Sequence, residues 1–272
     1  MNKLIRLGKT GIEYGDYVWN FASGCGNQAE GKCNSGSFNC WAHSICQRFE
    51  GHYPNGFQPT VYPEALLSPL YLKKPSRILC VFMGDLFDDW FLPTMMVASA
   101  NSPYGKDLKT KVYDTINACP QHTFLFLTKQ PQNLSQWSPF PDNAWVGVSA
   151  TDDMKYVEAF ALLANIKAGV KYISFEPLLS RISDTGAFMK SAGLKWIIIG
   201  AQTKPYKQPK IEWVKEIVQA ADKAGVKVFL KNNIRSLLCD ALAAKQIERN
   251  QFFVKGDQSG YGWNLRQEMP KG

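Results

Sequence analysis

The chain has 272 residues, of which 45% are hydrophobic, enough to bury the core of one large domain or two small ones. This composition excludes a disordered chain, and without a run of eighteen apolar residues we expect no membrane-spanning helix. The first residues lack the apolar core of a secretory signal peptide, so we expect a soluble, cytoplasmic protein.

The net charge of +8 is concentrated toward the C-terminus. Residues 201–272 carry 13 basic against 7 acidic residues, whereas residues 1–140 carry 12 against 10 and residues 141–200 carry 6 against 6. A basic segment attracts polyanions such as nucleic acid, but a modest positive charge is also a common solubility feature. The charge leaves both interpretations open.

Seven apolar segments of strand length recur along the chain, separated by loops and by stretches with helical spacing. This alternation is typical of a parallel β/α protein whose helices cover both faces of the sheet. No Gly-x-Gly-x-x-Gly follows the first segment, which argues against an open dinucleotide-binding sheet. The predicted strands are 16–22, 77–83, 123–128, 144–149, 171–175, 196–200 and 226–230, and the predicted helices are 107–118, 152–166 and 211–224.

We therefore predict an α/β fold built as a parallel β/α barrel, partial or near-complete and similar to a TIM barrel. Residues 1–234 are predicted to form the barrel domain, and residues 235–272 a C-terminal extension packed on it. Barrels of this kind carry their chemistry at the carboxyl ends of the strands. Polar residues follow several apolar runs, and we expect Glu176, Gln202 and Lys231 to face a substrate there.

Three cysteines lie within sixteen residues in the glycine-rich loop after the first predicted strand. Seven residues separate Cys25 from Cys33, and six separate Cys33 from Cys40. Three thiolates suit a soft metal, and an iron–sulfur cube on three cysteines keeps one iron open, whereas structural zinc needs a fourth ligand. Cys46 or His43 would be that ligand, although a buried packing cysteine and a helix-surface histidine are the simpler interpretations.

Short motifs run in order across most of the chain. They are Trp19-Asn20, Gly24-Cys25, Cys40-Trp41-Ala42, Phe82-Met-Gly-Asp-Leu-Phe87, Phe126-Leu-Thr-Lys129, Val146-Gly-Val-Ser149, Ser174-Phe-Glu-Pro-Leu-Leu179, Trp196-Ile-Ile-Ile-Gly200 and Phe229-Leu-Lys231. Together with the cysteine loop they resemble the radical S-adenosylmethionine superfamily, and more narrowly a phage- and prokaryote-associated family of unknown function with a three-cysteine motif. Spore photoproduct lyase is similar in kind.

The resemblance implies that Cys25, Cys33 and Cys40 hold a [4Fe–4S] cluster and that the protein makes a 5′-deoxyadenosyl radical from S-adenosylmethionine. It implies an electron donor such as flavodoxin or ferredoxin. The superfamily includes enzymes that act on nucleic acid, so we expect a nucleic acid or a nucleotide as the substrate, while small metabolites and peptides stay open as alternatives. The residues it assigns to cofactor binding are Trp41, Gly84, Asp85, Lys129 and Ser149.

The chain departs at several places from the pattern of the superfamily or of the narrower family. The usual cysteine spacing is three then two residues, whereas here it is seven then six. A Gly-Gly-Glu-like segment after the second strand is present only as Gly84-Asp85. Near the sixth strand, residues 200–203 read Gly-Ala-Gln-Thr instead of Gly-Gly-Glu-Ser, so one carboxylate is missing.

A second class of function remains open. In it, the cysteines and His43 hold zinc or iron without catalysis, and the basic C-terminal end binds nucleic acid or protein. Cleavage of S-adenosylmethionine by the reduced protein separates the enzyme from this binding module.

Overall fold

The computed structural model describes residues 7–36, 38–99, 102–184, 186–256 and 262–271, so Ser37 of the cysteine loop and residues 1–6 lie outside it. Its largest element is a sheet of eight strands that follow one another in chain order. The strands are β1 (Gly8–Lys9), β2 (Tyr17–Trp19), β3 (Arg77–Cys80), β4 (Thr123–Thr128), β5 (Ala144–Ser149), β6 (Val170–Phe175), β7 (Leu194–Ile199) and β8 (Lys227–Leu230).

The sheet is mostly parallel, which confirms the predicted α/β class. β1 pairs with β2 in the antiparallel sense, whereas β2 with β3, β3 with β4, β6 with β7 and β7 with β8 are parallel pairs. Within the described residues the order is open, with β1 and β8 at its two edges and no closed barrel.

All seven predicted strands contribute to this sheet, but the first two are shorter than predicted. Val81, the residue after β3, has φ of +56°, so the chain leaves the extended conformation there. After β2 the chain turns, and Ala22–Ser23 pairs separately with Thr60–Val61. The other strands match their predicted ranges to within two residues because their apolar runs are buried, as parallel strands covered on both faces require.

Local capping signals mark the start of one predicted helix and the end of another. At the start of the second helix, the side chain of Asp107 accepts from the amide of Thr110 at 2.8 Å. The helix before β8 ends at Gly225, whose φ of +71° suits a helix C-terminus. No helix in the described ranges has the length and apolar character needed to cross a membrane. The helices are α1 (Trp41–Arg48), α2 (Leu108–Asn117), α3 (Leu134–Trp137), α4 (Asp153–Ala164), α5 (Ala187–Ser191), α6 (Ile211–Ala224), α7 (Arg235–Ala243) and α8 (Arg249–Phe252).

The chain divides into two compact units. The first comprises 1–147 and 165–169, and its core includes an edge-on contact between the rings of Trp19 and Phe124, 5.6 Å apart. The second comprises 148–164 and 170–271, and its core includes Trp196, whose ring lies 5.9 Å from that of Phe229.

The C-terminal residues of the second unit extend the hydrogen bonding of β8. The amide of Leu230 donates to the carbonyl of Arg266 at 2.9 Å, and the amide of Glu268 donates to the carbonyl of Val228 at 2.9 Å. The residues after 234 therefore belong to the same compact unit as β8. The predicted domain boundary at residue 234 stays a prediction.

Candidate functional site

The cysteine loop contacts the segment after β3 through two glycines. Gly24 forms a parallel bridge with Gly84, and the amide of Asp85 donates to the carbonyl of Gly24 at 3.3 Å. A Cβ atom on Gly84 would lie 2.3 Å from the Gly24 carbonyl oxygen, so a larger residue would have to push the two segments apart. Cys25, the next residue, is thereby held beside Gly84 and Asp85.

The carboxylate of Asp85 is buried and accepts hydrogen bonds on both oxygens. The hydroxyl of Thr128 lies 2.7 and 2.8 Å from the two oxygens, and the amides of Lys129 and Phe87 donate at 2.9 and 3.1 Å. Burial raises the pKa of Asp85 to about 6, although these hydrogen bonds and the charge of Lys129 oppose the change. Asp85 is therefore a buried group that ties the end of β3 to the end of β4.

A second buried carboxylate, Asp88, joins the cysteine loop to the same strand ends. One oxygen of Asp88 accepts from the amide of Gly26 at 2.5 Å and from the Gln130 side-chain amide at 2.7 Å. The other accepts from the amide of Trp90 at 3.1 Å. The same Gln130 nitrogen lies 3.8 Å from the Cys25 sulfur, so Gln130 bridges the thiol and the carboxylate.

These carboxylates make the surroundings of Cys25 favourable for a positive charge. Burial and the negative charges of Asp85 and Asp88 raise the pKa of the Cys25 thiol well above its usual value. A cation bound here would stabilise both the thiolate and the ionised carboxylates. The arrangement thus favours a cationic ligand.

The backbone that presents Gly84 and Asp85 is strained. Val81 has φ of +56°, a left-handed conformation that β-branched residues rarely adopt. Its amide donates to the carbonyl of Trp19 at 2.9 Å, and its carbonyl accepts from the amide of Gly84 at 3.1 Å. Strain of this kind concentrates at functional sites, where the surrounding structure holds it in place.

Of the other two loop cysteines, Cys33 lies on a small hairpin and Cys40 directly precedes α1. Gln28–Ala29 pairs with Lys32–Cys33, and the amide of Cys40 donates to the carbonyl of Gly31 at 2.8 Å. Among the described residues, no three His, Cys, Asp or Glu side chains are grouped closely enough to hold a metal ion. The three thiols fit a soft metal by their chemistry, and a cluster would have to draw them together, since metal binding and local folding are coupled.

Cys46 and His43 both pack against neighbouring side chains. Cys46 is fully buried on α1 with Ala42 and Met83, and burial raises its pKa to about 11. This burial agrees with a packing cysteine, and the choice between packing and a fourth metal ligand stays a prediction. His43 packs edge-on against Phe57, with ring centroids 5.4 Å apart.

Three further residues were predicted to bind the cofactor. Lys129 follows β4 directly and is half-buried, with its backbone amide bonded to Asp85. Trp41 is the first residue of α1 and is exposed. Ser149 is the buried last residue of β5 and belongs to the second unit. Their roles in cofactor binding stay predictions.

In the second unit, the predicted residues Glu176 and Lys231 form an ion pair. The Glu176 side chain is 20% exposed and that of Lys231 is 13% exposed. The two side chains flank Gly200, where an added Cβ would lie 3.0 Å from Lys231 Cδ and 3.4 Å from Glu176 Cγ. The ends of β6, β7 and β8 therefore gather a mostly buried ion pair beside a residue without a side chain.

Gln202 and Asn233 lie in the segments that follow β7 and β8. The Gln202 side chain donates to the carbonyl of Pro205 at 2.9 Å, within the hairpin that follows β7. Asn233 lies beside Gly200, the residue that the ion pair flanks, since its Oδ1 would be 3.4 Å from a Cβ placed on that glycine. Its side chain also accepts from the Ala201 amide at 3.1 Å and donates to the Ala201 carbonyl at 3.0 Å.

The sequence did not assign roles to Asp88, Gln130 or Asn233. Gln130 and Asn233 lie two and three residues beyond the ends of β4 and β8, where polar residues after apolar runs are the available signal. Asp88 stands in an acidic loop whose sequence is equally typical of solvated surface. In the structure it is buried and accepts a hydrogen bond from Gln130, 42 residues further along the chain.

The fold and these clusters define an α/β protein with a mostly parallel sheet, a cysteine-bearing loop and buried carboxylates at the strand ends. The chain belongs to a family of proteins of unknown function, DUF5131, whose family model matches residues 9–236. No curated protein and no solved structure matches the chain.

Proposed function

We propose that this protein is a radical S-adenosylmethionine enzyme that holds a [4Fe–4S] cluster on Cys25, Cys33 and Cys40. The observation that carries the proposal is the contact between the cysteine loop and the Gly84–Asp85 segment. It places a half-buried thiol beside two buried carboxylates, in surroundings that favour a positively charged ligand. S-adenosylmethionine carries an ammonium and a sulfonium group.

When bound, the cluster would supply the electron that cleaves the sulfonium to a 5′-deoxyadenosyl radical. The chain's own residues orient the ligand and exclude water. Asp85 supplies the negative charge that pairs with the ammonium group. The ammonium group shares this carboxylate with the Thr128 hydroxyl, which lies within hydrogen-bond distance of both oxygens. Gln130 and Asp88 hold Cys25 and Gly26 in position.

The scaffold in this proposal is a partial β/α barrel, supported by eight strands of a mostly parallel sheet in chain order. Glu176, Gln202 and Lys231 face the substrate, which is a nucleic acid or a nucleotide. The basic excess of residues 201–272 supports that class of substrate. An external electron donor such as flavodoxin or ferredoxin supplies the reductant.

The first test is anaerobic reconstitution with iron and sulfide, followed by metal analysis and electron paramagnetic resonance. We expect one [4Fe–4S] cluster in the wild type and a loss of cluster iron in Cys33→Ser. Cys239→Ser is the matched control, because Cys239 is exposed and lies on α7, outside the loop. Equal iron content in both variants would contradict the ligand assignment.

The second test is chromatography of a dithionite-reduced reaction containing S-adenosylmethionine. We expect methionine and 5′-deoxyadenosine from the wild type, and weaker binding of the cofactor by Asp85→Ala. Stoichiometric zinc, no uptake of iron and no cleavage would instead identify a non-catalytic metal-binding module.

A further inference from the structure

The hairpin after β7 carries basic residues that the protein itself does not neutralise. Its strands, Gln202–Thr203 and Tyr206–Lys207, are antiparallel. Lys204 and Lys207 on the hairpin and Lys210 just after it are exposed, and in the described part of the chain none of the three forms an ion pair. In the described part of the chain, three ammonium groups within seven residues have no carboxylate partner, and that of Lys210 lies 5.5 Å from the centroid of the Trp213 ring. Such a group of charges indicates a surface for phosphate groups.

An exposed aromatic ring stands among these lysines. Tyr206 is 54% exposed, yet its hydroxyl donates to the carbonyl of Asn233 at 2.7 Å. The Gln208 side chain donates to the Tyr206 hydroxyl at 3.1 Å and to the Ser236 hydroxyl at 2.8 Å. The ring is therefore held in place before any ligand binds, which lowers the entropy cost of binding.

The hairpin also lies next to the ion pair of the same unit. Asn233, which anchors Tyr206 through its carbonyl, bonds through its side chain to both backbone groups of Ala201. Gly200, the preceding residue, is flanked by Glu176 and Lys231. A ligand bound along the hairpin would therefore lie next to that ion pair.

We propose that Lys204, Tyr206, Lys207 and Lys210 form a binding surface for single-stranded nucleic acid, which we call the hairpin surface. The lysines contact the phosphates, and Tyr206 stacks on an unpaired base. A base inside a duplex is already stacked on its neighbours, so an exposed ring at this place favours a single strand. This proposal rests on the proposed function only where it makes the bound strand a substrate of the reaction. Binding itself requires neither the cluster nor S-adenosylmethionine.

The test measures binding of fluorescein-labelled single-stranded and duplex oligonucleotides to the protein without cluster, by anisotropy across a salt series. We expect single-strand affinity to fall steeply with salt. Replacing the three lysines with Ala should reduce the slope of log affinity against log salt by about 2, because each neutralised phosphate of a single strand adds about 0.7 to that slope.

The matched control replaces Lys190, Lys195 and Lys223 with Ala, which removes the same charge from the same unit. These residues are exposed and lie at the end of α5, the start of β7 and the end of α6, at the opposite end of the strands. We expect the control to keep the wild-type slope. An equal reduction of the salt slope in both triple variants would mean that net charge alone explains the effect, and would overturn the proposal.

Tyr206 provides the second arm. Tyr206→Ala should weaken single-strand binding about tenfold and leave duplex binding unchanged, whereas Tyr206→Phe should keep most of the affinity because the ring remains. Circular dichroism melting checks that each variant is folded. Absent or salt-independent binding, or no effect of Tyr206→Ala, overturns the proposal. Cleavage of S-adenosylmethionine by the reconstituted protein is measured separately, so failure of either idea is distinguishable.

Discussion

The buried carboxyl group of Asp85 should make the protein less stable as the pH rises from about 4 to about 6. Burial raises its pKa from 3.8 to about 6, so the folded state holds a proton that the unfolded chain releases in this range. The stabilisation from the protonated carboxyl group is present below pH 3.8, where the unfolded chain is protonated as well. It is lost as the pH rises to the pKa of the folded state, about 6. At 1.36 kcal/mol per pKa unit, the difference corresponds to about 3 kcal/mol.

The perturbation that isolates this effect is Asp85→Asn, which removes the titration and keeps the shape. Urea unfolding of both proteins between pH 4 and pH 8 gives the difference in their free energies of unfolding. Between pH 4 and pH 7 we expect the wild type to lose about 2.4 kcal/mol of this difference relative to the variant, because the unfolded chain is already partly ionised at pH 4. Any constant cost of the substitution cancels, because only the change of the difference with pH is used.

Thr128→Val supplies an independent check on the cause. The Thr128 hydroxyl lowers the pKa of Asp85 by bonding its ionised form, so its removal should raise that pKa and extend the loss of stability to higher pH. A difference between wild type and Asp85→Asn that is independent of pH, or that shifts in favour of the wild type as the pH rises, would refute the reasoning.

Two further predictions concern packing at the two clusters. Gly84→Ala should destabilise the protein by about 1–3 kcal/mol in thermal melts, because its Cβ would lie 2.3 Å from the Gly24 carbonyl oxygen. An unchanged melting temperature would contradict this close approach. Lys231→Met should cost about 3 kcal/mol in urea unfolding, since it leaves Glu176 mostly buried without its cation. Adding Glu176→Leu should recover most of that cost, and purely additive effects would argue against the ion pair.

Much of the secondary structure follows from local sequence. β4 and β5 have their predicted bounds, and α6 spans the predicted residues 211–224 before Gly225. Each is specified by a continuous apolar run or by helical spacing, and α6 is followed by Gly225, which favours helix termination. These signals lie within one segment of chain, so no knowledge of its neighbours is required.

The position of candidate chemistry at strand ends was also predictable, because parallel strands bring their carboxyl ends to one edge. This reasoning grouped Glu176 and Lys231 at the strand ends, whereas the ion pair between them is a finding of the structure. It did not reveal that Asp85 accepts hydrogen bonds from Thr128 and from backbone amides, so that it organises two strand ends.

Only the tertiary structure decided which loop residues meet. Asp88 and Gln130 are 42 residues apart, and their contact depends on β3 and β4 being adjacent and in register. The chain also turns out of β3 at Val81 in a strained conformation, and Gly84 lies pressed against Gly24. The sequence pattern within a segment specifies whether it forms a helix or a strand. The burial of a side chain, the pKa of its titratable group and the close approach of two backbone segments depend on neighbours that are distant in sequence.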